Sequence, residues 1–146
     1  MEKLEVVGGK KLSGVLKISG SKNASLPILA ASLLSNKKIE LINLPQVKDI
    51  KTMLTLLESL GSRVKKIGKK TIIDNINQKK TEANYNIVRL MRGSFLVLGP
   101  LLAKFGKAKV SSPGGCSIGV RPIDIHLNAL TKLGVKIKIV DGYVIA

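Results

Sequence analysis

Apolar positions along this chain fall into blocks whose spacing alternates between helical and strand-like. Residues 23–34, NASLPILAASLL, are apolar almost throughout and predict a helix buried on most sides. Residues 87–104 predict a second helix of the same kind. A short strand follows each, over 38–43 and over 107–111. Next comes an amphipathic helix. Ile50, Met53, Leu54, Leu57 and Leu60 form one stripe at i, i+3, i+4, i+7 spacing; Ile123, Leu127, Leu130 and Leu133 form another. Each stripe stops at a Leu-Gly pair, glycine being favoured just past a helix end. Runs at 63–67, 71–74, 135–140 and 143–145 predict hairpin-like strands, the last pair turned by Asp141-Gly142.

The two halves are therefore copies. SLPILAASLLSNKKIEL from Ser25 aligns with SFLVLGPLLAKFGKAKV from Ser94 at an offset of 69 residues. The Leu60-Gly61 and Leu133-Gly134 pairs align at an offset of 73, so the second copy has gained 4 residues between the matched blocks. The extra length falls within 111–120. The first copy makes this connection with NLPQVKD, without glycine, whereas the second uses SSPGGCSIGVRPID. A structural connection did not need the longer version, and glycine-rich insertions on a regular scaffold are more often binding or catalytic loops. The fold class is α/β, built from repeated units. A repeat whose apolar faces need neighbours is rarely complete at two copies.

Composition adds boundaries. A chain of 146 residues with 45% hydrophobic content is long and apolar enough to bury a core. Its single cysteine fits a reducing cytosol rather than a disulfide scaffold. The N-terminal MEKLEVVGGKKLSG lacks the apolar run of a signal peptide, and the longest mostly apolar run, 24–34, contains Pro27 and is too short to span a bilayer. The expectation is a soluble, cytoplasmic protein that meets no membrane.

Charge is the outlier: 25 Lys and Arg against 9 Asp and Glu, a formal +16. A nucleic-acid binder clusters such charge and, for single strands, adds aromatic platforms. Here the lysines are dispersed, and only Phe95, Phe105, Tyr85 and Tyr143 are aromatic, so nucleic acid is not expected as a partner. A site for a phosphorylated small molecule and a lysine-rich solvated surface both remain.

Several motifs compete for the chemistry. GPLLAKFGK and GSRVKKIGK each place six residues between Gly and Gly-Lys, where a phosphate-binding P-loop has four and then Ser or Thr. Lys70 and Ala108 occupy those last places, which rejects that motif. His126 is the only histidine, which excludes a histidine-rich metal site; its place on the amphipathic helix suits packing or the helix surface. Cys116 is either a small apolar filler or a chemical group. Flanking glycines expose its sulfur, and loop N–H groups, Arg121 and the next helix start would stabilise a thiolate able to act as nucleophile or general acid. Lys22-Asn23 stands where the first helix begins, in GSKNASLP, with Ser21 or Asn23 as cap. It is either a capped start with a solvated lysine or an anion site. Arg92, in VRLMRGSF, is either a surface ion-pair partner or a bidentate phosphate ligand.

Together GSKNASLP, LMRGS and PGGCSIGVRPIDIH resemble the enolpyruvyl transferases, and within them the bacterial UDP-N-acetylglucosamine 1-carboxyvinyltransferases that start peptidoglycan synthesis. The similarity runs along the whole chain. The sister enolpyruvylshikimate-phosphate synthases share fold and repeat but lack the cysteine loop. The resemblance implies repeated βαβαββ units of an inside-out α/β barrel, and transfer of the enolpyruvyl group of phosphoenolpyruvate to the 3-hydroxyl of UDP-N-acetylglucosamine by addition and elimination. Phosphate is released, and no metal or organic cofactor is needed. Lys22 and Asn23 match positions that hold phosphoenolpyruvate. Arg92, Arg121, Pro122, Ile123, Asp124 and Ile125 match positions contacting the UDP-sugar, with Arg121 also near the other substrate's phosphate. Cys116 matches a general acid that can bond to phosphoenolpyruvate and is the target of fosfomycin.

Family members carry two lobes of three repeats each, with substrates in the cleft between lobes. The resemblance therefore assigns residues 1–21 to a first strand belonging to the other lobe, and 22–146 to the first two repeats of an incomplete N-terminal lobe. The alternatives are a non-catalytic truncated remnant and a half-enzyme whose partner is the missing C-terminal portion on a separate chain. By itself the chain is expected to be inactive.

Overall fold

The computed structural model describes residues 3–112 and 122–146. The first unit runs α1 (Lys22–Ala31), a 3-10 turn (Ser32–Leu34), β1 (Ile39–Ile42), α2 (Lys48–Ser59), β2 (Arg63–Ile67) and β3 (Lys70–Asp74). The second runs β4 (Glu82–Ala83), α3 (Tyr85–Val88), a 3-10 stretch (Arg92–Val97), α4 (Leu98–Phe105), β5 (Lys109–Ser111), α5 (Asp124–Lys132), β6 (Lys138–Val140) and β7 (Tyr143–Ile145).

The repeat is visible in the sheets. One has strand order β1-β3-β2 and the other β4-β5-β7-β6, so β1, β3 and β2 correspond to β5, β7 and β6. In both, the hairpin strands pair antiparallel and the last strand returns beside the earlier one, as in Ile39↔Ile73 and Lys109↔Ile145. Asp141 and Gly142 both have positive φ, 49° and 75°, which matches the twist of the tight turn between β6 and β7. Gly61 and Gly134, the glycines of the two Leu-Gly pairs, have φ of 104° and 92°, a conformation that side chains with a Cβ resist. The sequence motif and its geometric cause thus coincide in both units.

The helices carry most of the core and the sheets lie outside them. Leu26, Leu29, Leu33, Ile50, Met53, Leu54, Leu56 and Leu57 come from the first unit's helical segments, and Phe95, Val97, Leu98 and Leu101 from the second's. The sheets add Ile73, Val110 and Val144 to the same cluster. Each of the fully buried leucines contributes about 1.5–3 kcal/mol relative to exposure. A buried polar bridge joins the 3-10 turn to the exit of β3. Asn75 donates from Nδ2 to the Ser32 carbonyl at 2.7 Å and accepts from the Ser62 hydroxyl at 2.6 Å.

The structure corrects one sequence expectation and adds three features that the pattern did not show. The helix expected over 87–104 is broken into α3, the 3-10 stretch and α4, because Met91 is extended (φ −153°, ψ 126°) between them. The two-residue β4, parallel to β5, was too short to leave a period in the sequence. The stripe on α5 is only half-buried: Ile123, Leu127 and Leu130 pack against the core, and Leu133 just beyond the helix is 81% exposed. Nothing among the described residues covers its outer side. Finally, residues 3–20 pair with no strand among the described residues. Leu4, Val6, Val7, Leu12, Val15, Leu16 and Ile18 are all exposed there, since an extended segment without a neighbouring strand has no partner for its backbone or its apolar face.

Candidate functional site

The site begins at a helix start. Ser21 caps α1, its Oγ accepting from the Ala24 N–H at 3.3 Å and its carbonyl accepting the Ser25 hydroxyl at 2.7 Å. This makes Lys22 and Asn23 the first two residues of α1, where unpaired N–H groups favour anions. Of the two caps proposed from sequence, Ser21 is the one used. At the repeat offset of 69, Asn23 corresponds to Arg92, the first residue of the 3-10 stretch. Equivalent points of the two units thus present Lys22-Asn23 and Arg92.

They converge on a cleft of about 1130 Å³. Lys22, Asn23, Arg92, Pro122, Ile123 and Ile125 all line it. Gly93 permits the approach of the two units beside it: a Cβ there would stand 3.0 Å from Leu26 Cδ1. Asp124 opens α5 but is not among the lining residues. Cys116 and Arg121 lie outside the described residues.

Three lining residues were not singled out as ligands from the sequence. Asp49, in the first turn of α2, accepts a hydrogen bond from Lys22 Nζ at 2.7 Å. Phe95, on the 3-10 stretch, and His126, on α5, meet edge-on within the cleft wall. His126 therefore does pack, as its helical position suggested, and it does so at the site. Only an acidic residue at a predicted helix start hinted at Asp49, and nothing in the pattern joined it to Lys22, 27 residues away.

Chemically, the cleft combines two cations, one carboxylate, and an apolar wall that includes Leu26, Met91 and Leu96. That mixture suits an anionic group attached to a larger, partly apolar body. Among the described residues there is no cluster of three or more His, Cys, Asp or Glu able to hold a metal ion. No described helix is long and apolar enough to cross a membrane.

The family model for EPSP synthase (3-phosphoshikimate 1-carboxyvinyltransferase) matches residues 6–146. A UDP-N-acetylglucosamine 1-carboxyvinyltransferase of Pelagibacter ubique is 68% identical over 144 residues, 99% of this chain and 34% of that protein. Its counterpart in Campylobacter fetus is 54% identical over 146 residues, 100% of this chain and 35% of that one. The chain thus spans about a third of the length of these curated relatives. The crystal structure of the enolpyruvyl transferase NikO from Streptomyces tendae superposes with a TM-score of 0.77 at 22% identity, covering 94% of this chain and 30% of that one. The fold is that of the enolpyruvyl transferases, as the repeat and its motifs predicted.

Proposed function

Because the chain belongs to the EPSP synthase family, we propose that it is the N-terminal part of an enzyme moving the enolpyruvyl group of phosphoenolpyruvate onto the 3-hydroxyl of UDP-N-acetylglucosamine. Phosphate is released, and the product enters peptidoglycan synthesis in the cytoplasm. The observation that carries this reading is the convergence of Lys22, Asn23 and Arg92, from equivalent points of two repeats, on one cleft beside Pro122, Ile123 and Ile125. The high identity to relatives bearing that name supports the choice of substrates over those of the sister branch.

In this reading the reaction has two halves. Addition of the sugar hydroxyl across the enol double bond needs a proton at the methylene carbon. Elimination then breaks the bond to phosphate and returns a proton from that carbon. Cys116, set among glycines in the sequence, supplies the acid. Lys22 and Asn23, at the start of α1, hold phosphoenolpyruvate. Arg92, Arg121 and the segment 122–125 hold the UDP-sugar, Asp124 through its place at the start of α5. No cofactor takes part.

Residues 22–146 then form two of the three repeats of one lobe, and residues 1–21 belong to a strand of the other. The seven exposed apolar side chains in that segment support this assignment, since they are placed to pack against something beyond it. The test is a chimera joining this chain to the C-terminal two-thirds of the Pelagibacter ubique relative, assayed for phosphate release with both substrates. Turnover that requires UDP-N-acetylglucosamine supports the reading. A folded chimera without turnover supports a non-catalytic remnant instead.

A further inference from the structure

We propose that Asp49 is a positioning residue whose carboxylate fixes the Lys22 ammonium at the cleft rim, leaving two of its three N–H donors for the anionic substrate. The inference rests on the reading of Lys22 given above. It starts from the 2.7 Å contact between Lys22 Nζ and Asp49 Oδ2, both residues lining the cleft. The other ion pairs among the described residues, Lys70–Glu40 and Lys109–Glu82, join strands, and none of their four residues lines that cleft.

The pair is not needed to hold the helices together. Its side chains are 46% and 33% exposed, a setting in which ion pairs add little stability. Buried leucines and methionine on α1 and α2 already join the two helices. What Asp49 changes is the lysine's freedom. A lysine has a flexible four-carbon stem and three rotatable donors, and loses much rotamer freedom when ordered. Asp49 is itself in the first turn of α2, where the helix dipole stabilises a carboxylate. It is therefore an anchored acceptor, and the lysine is ordered before substrate arrives. Such preorganisation is read in substrate affinity and turnover rather than in folding.

The chimera described above provides the test, with steady-state phosphate release as the readout. Asp49→Ala should raise the KM for phosphoenolpyruvate roughly tenfold or more, the scale on which misplacing a substrate-positioning group is felt. The KM for the UDP-sugar should move less than about twofold, because a lost phosphoenolpyruvate contact acts on that substrate alone. Asp49→Glu should recover part of the loss. The double variant Lys22→Ala/Asp49→Ala should be no worse than Lys22→Ala, the signature of one residue acting through another. Glu40→Ala, which breaks an exposed pair away from the cleft, should leave both constants unchanged. Equal KM values for Asp49→Ala and the parent, or additive losses in the double variant, overturn the positioning role. A folded parent chimera without turnover instead overturns the enolpyruvyl reading on which that role rests. Should Asp49→Ala fail to fold by circular dichroism, Asp49→Asn carries the same comparison.

Discussion

The imidazole of His126 meets the ring of Phe95 edge-on, with centroids 5.6 Å apart and planes at 73°. This contact ties α5 to the 3-10 stretch that begins with Arg92. It matters because α5 has no buried residue and leans on the core only through the half-buried Leu127 and Leu130, with Ile123 at its start. Both residues of the contact line the cleft.

A double-mutant cycle measures that link. Phe95→Leu and His126→Ala should show a coupling of about 0.5–1.5 kcal/mol, the range for aromatic edge contacts. Urea denaturation of the parent, both single variants and the double provides it. Strictly additive losses would mean that α5 is seated by its aliphatic side chains alone.

The Asn75 bridge predicts a larger effect. Asn75 is fully buried, and Asn75→Ala leaves the Ser62 hydroxyl without its partner and the Ser32 carbonyl with only the Ser35 N–H. The expected loss is about 1–3 kcal/mol, from one abandoned hydroxyl, one lost bond to the carbonyl and a small cavity. Equilibrium unfolding checks it, and a loss under 1 kcal/mol would show that water replaces the amide at little cost.

Lys109 carries a pH dependence with a definite sign. Its hydrogen bond and ion pair with Glu82, 3.0 Å away across the β4–β5 pair, push its pKa above the ordinary 10.5, with Tyr143 adding to the rise. The charged form is therefore favoured in the folded state. That contribution is fully present below the ordinary value and disappears as pH rises through the raised one. In Glu82→Gln the Lys109 side chain should titrate at lower pH, as followed by its NMR signals. An unchanged titration would assign the shift to Tyr143 and Asp141 instead.

Two expectations concern Cys116 and the chain by itself. In the chimera, Cys116→Ser should preserve folding and cripple turnover, because a hydroxyl is a far weaker acid than a thiol, while Cys116→Asp should retain activity. Near-normal turnover in Cys116→Ser would return the cysteine to a filler.

Alone, the 146-residue chain should release no phosphate from the two substrates, since charged groups converging across a water-excluding cleft need both of its walls. It should also self-associate, given the exposed apolar residues of 3–20 and of α5. Sustained turnover by a monomer in sedimentation would contradict both statements.

Much of this protein was legible before folding. Helix α2, the hairpin β2–β3, the Leu-Gly stops and the tight turn at Asp141-Gly142 follow from local period and from backbone conformations that glycine accepts readily. The repeat was legible because two copies of one pattern must bury the same faces, and the family motifs because they are contiguous in the chain. What tertiary structure decided is whatever depends on a distant neighbour. Strand β4 exists only because β5 offers it a parallel edge. The stripe on α5 is apolar by sequence yet only partly covered, since burial requires a surface to pack against. The segment 3–20 has the residues of a strand and no strand beside it. Asp49 meets Lys22, and Phe95 meets His126, because α1 packs on α2 and α5 reaches the second unit's 3-10 stretch. Local period specifies which face of an element is apolar; only the packed chain specifies what that face, or a side chain at its rim, will meet.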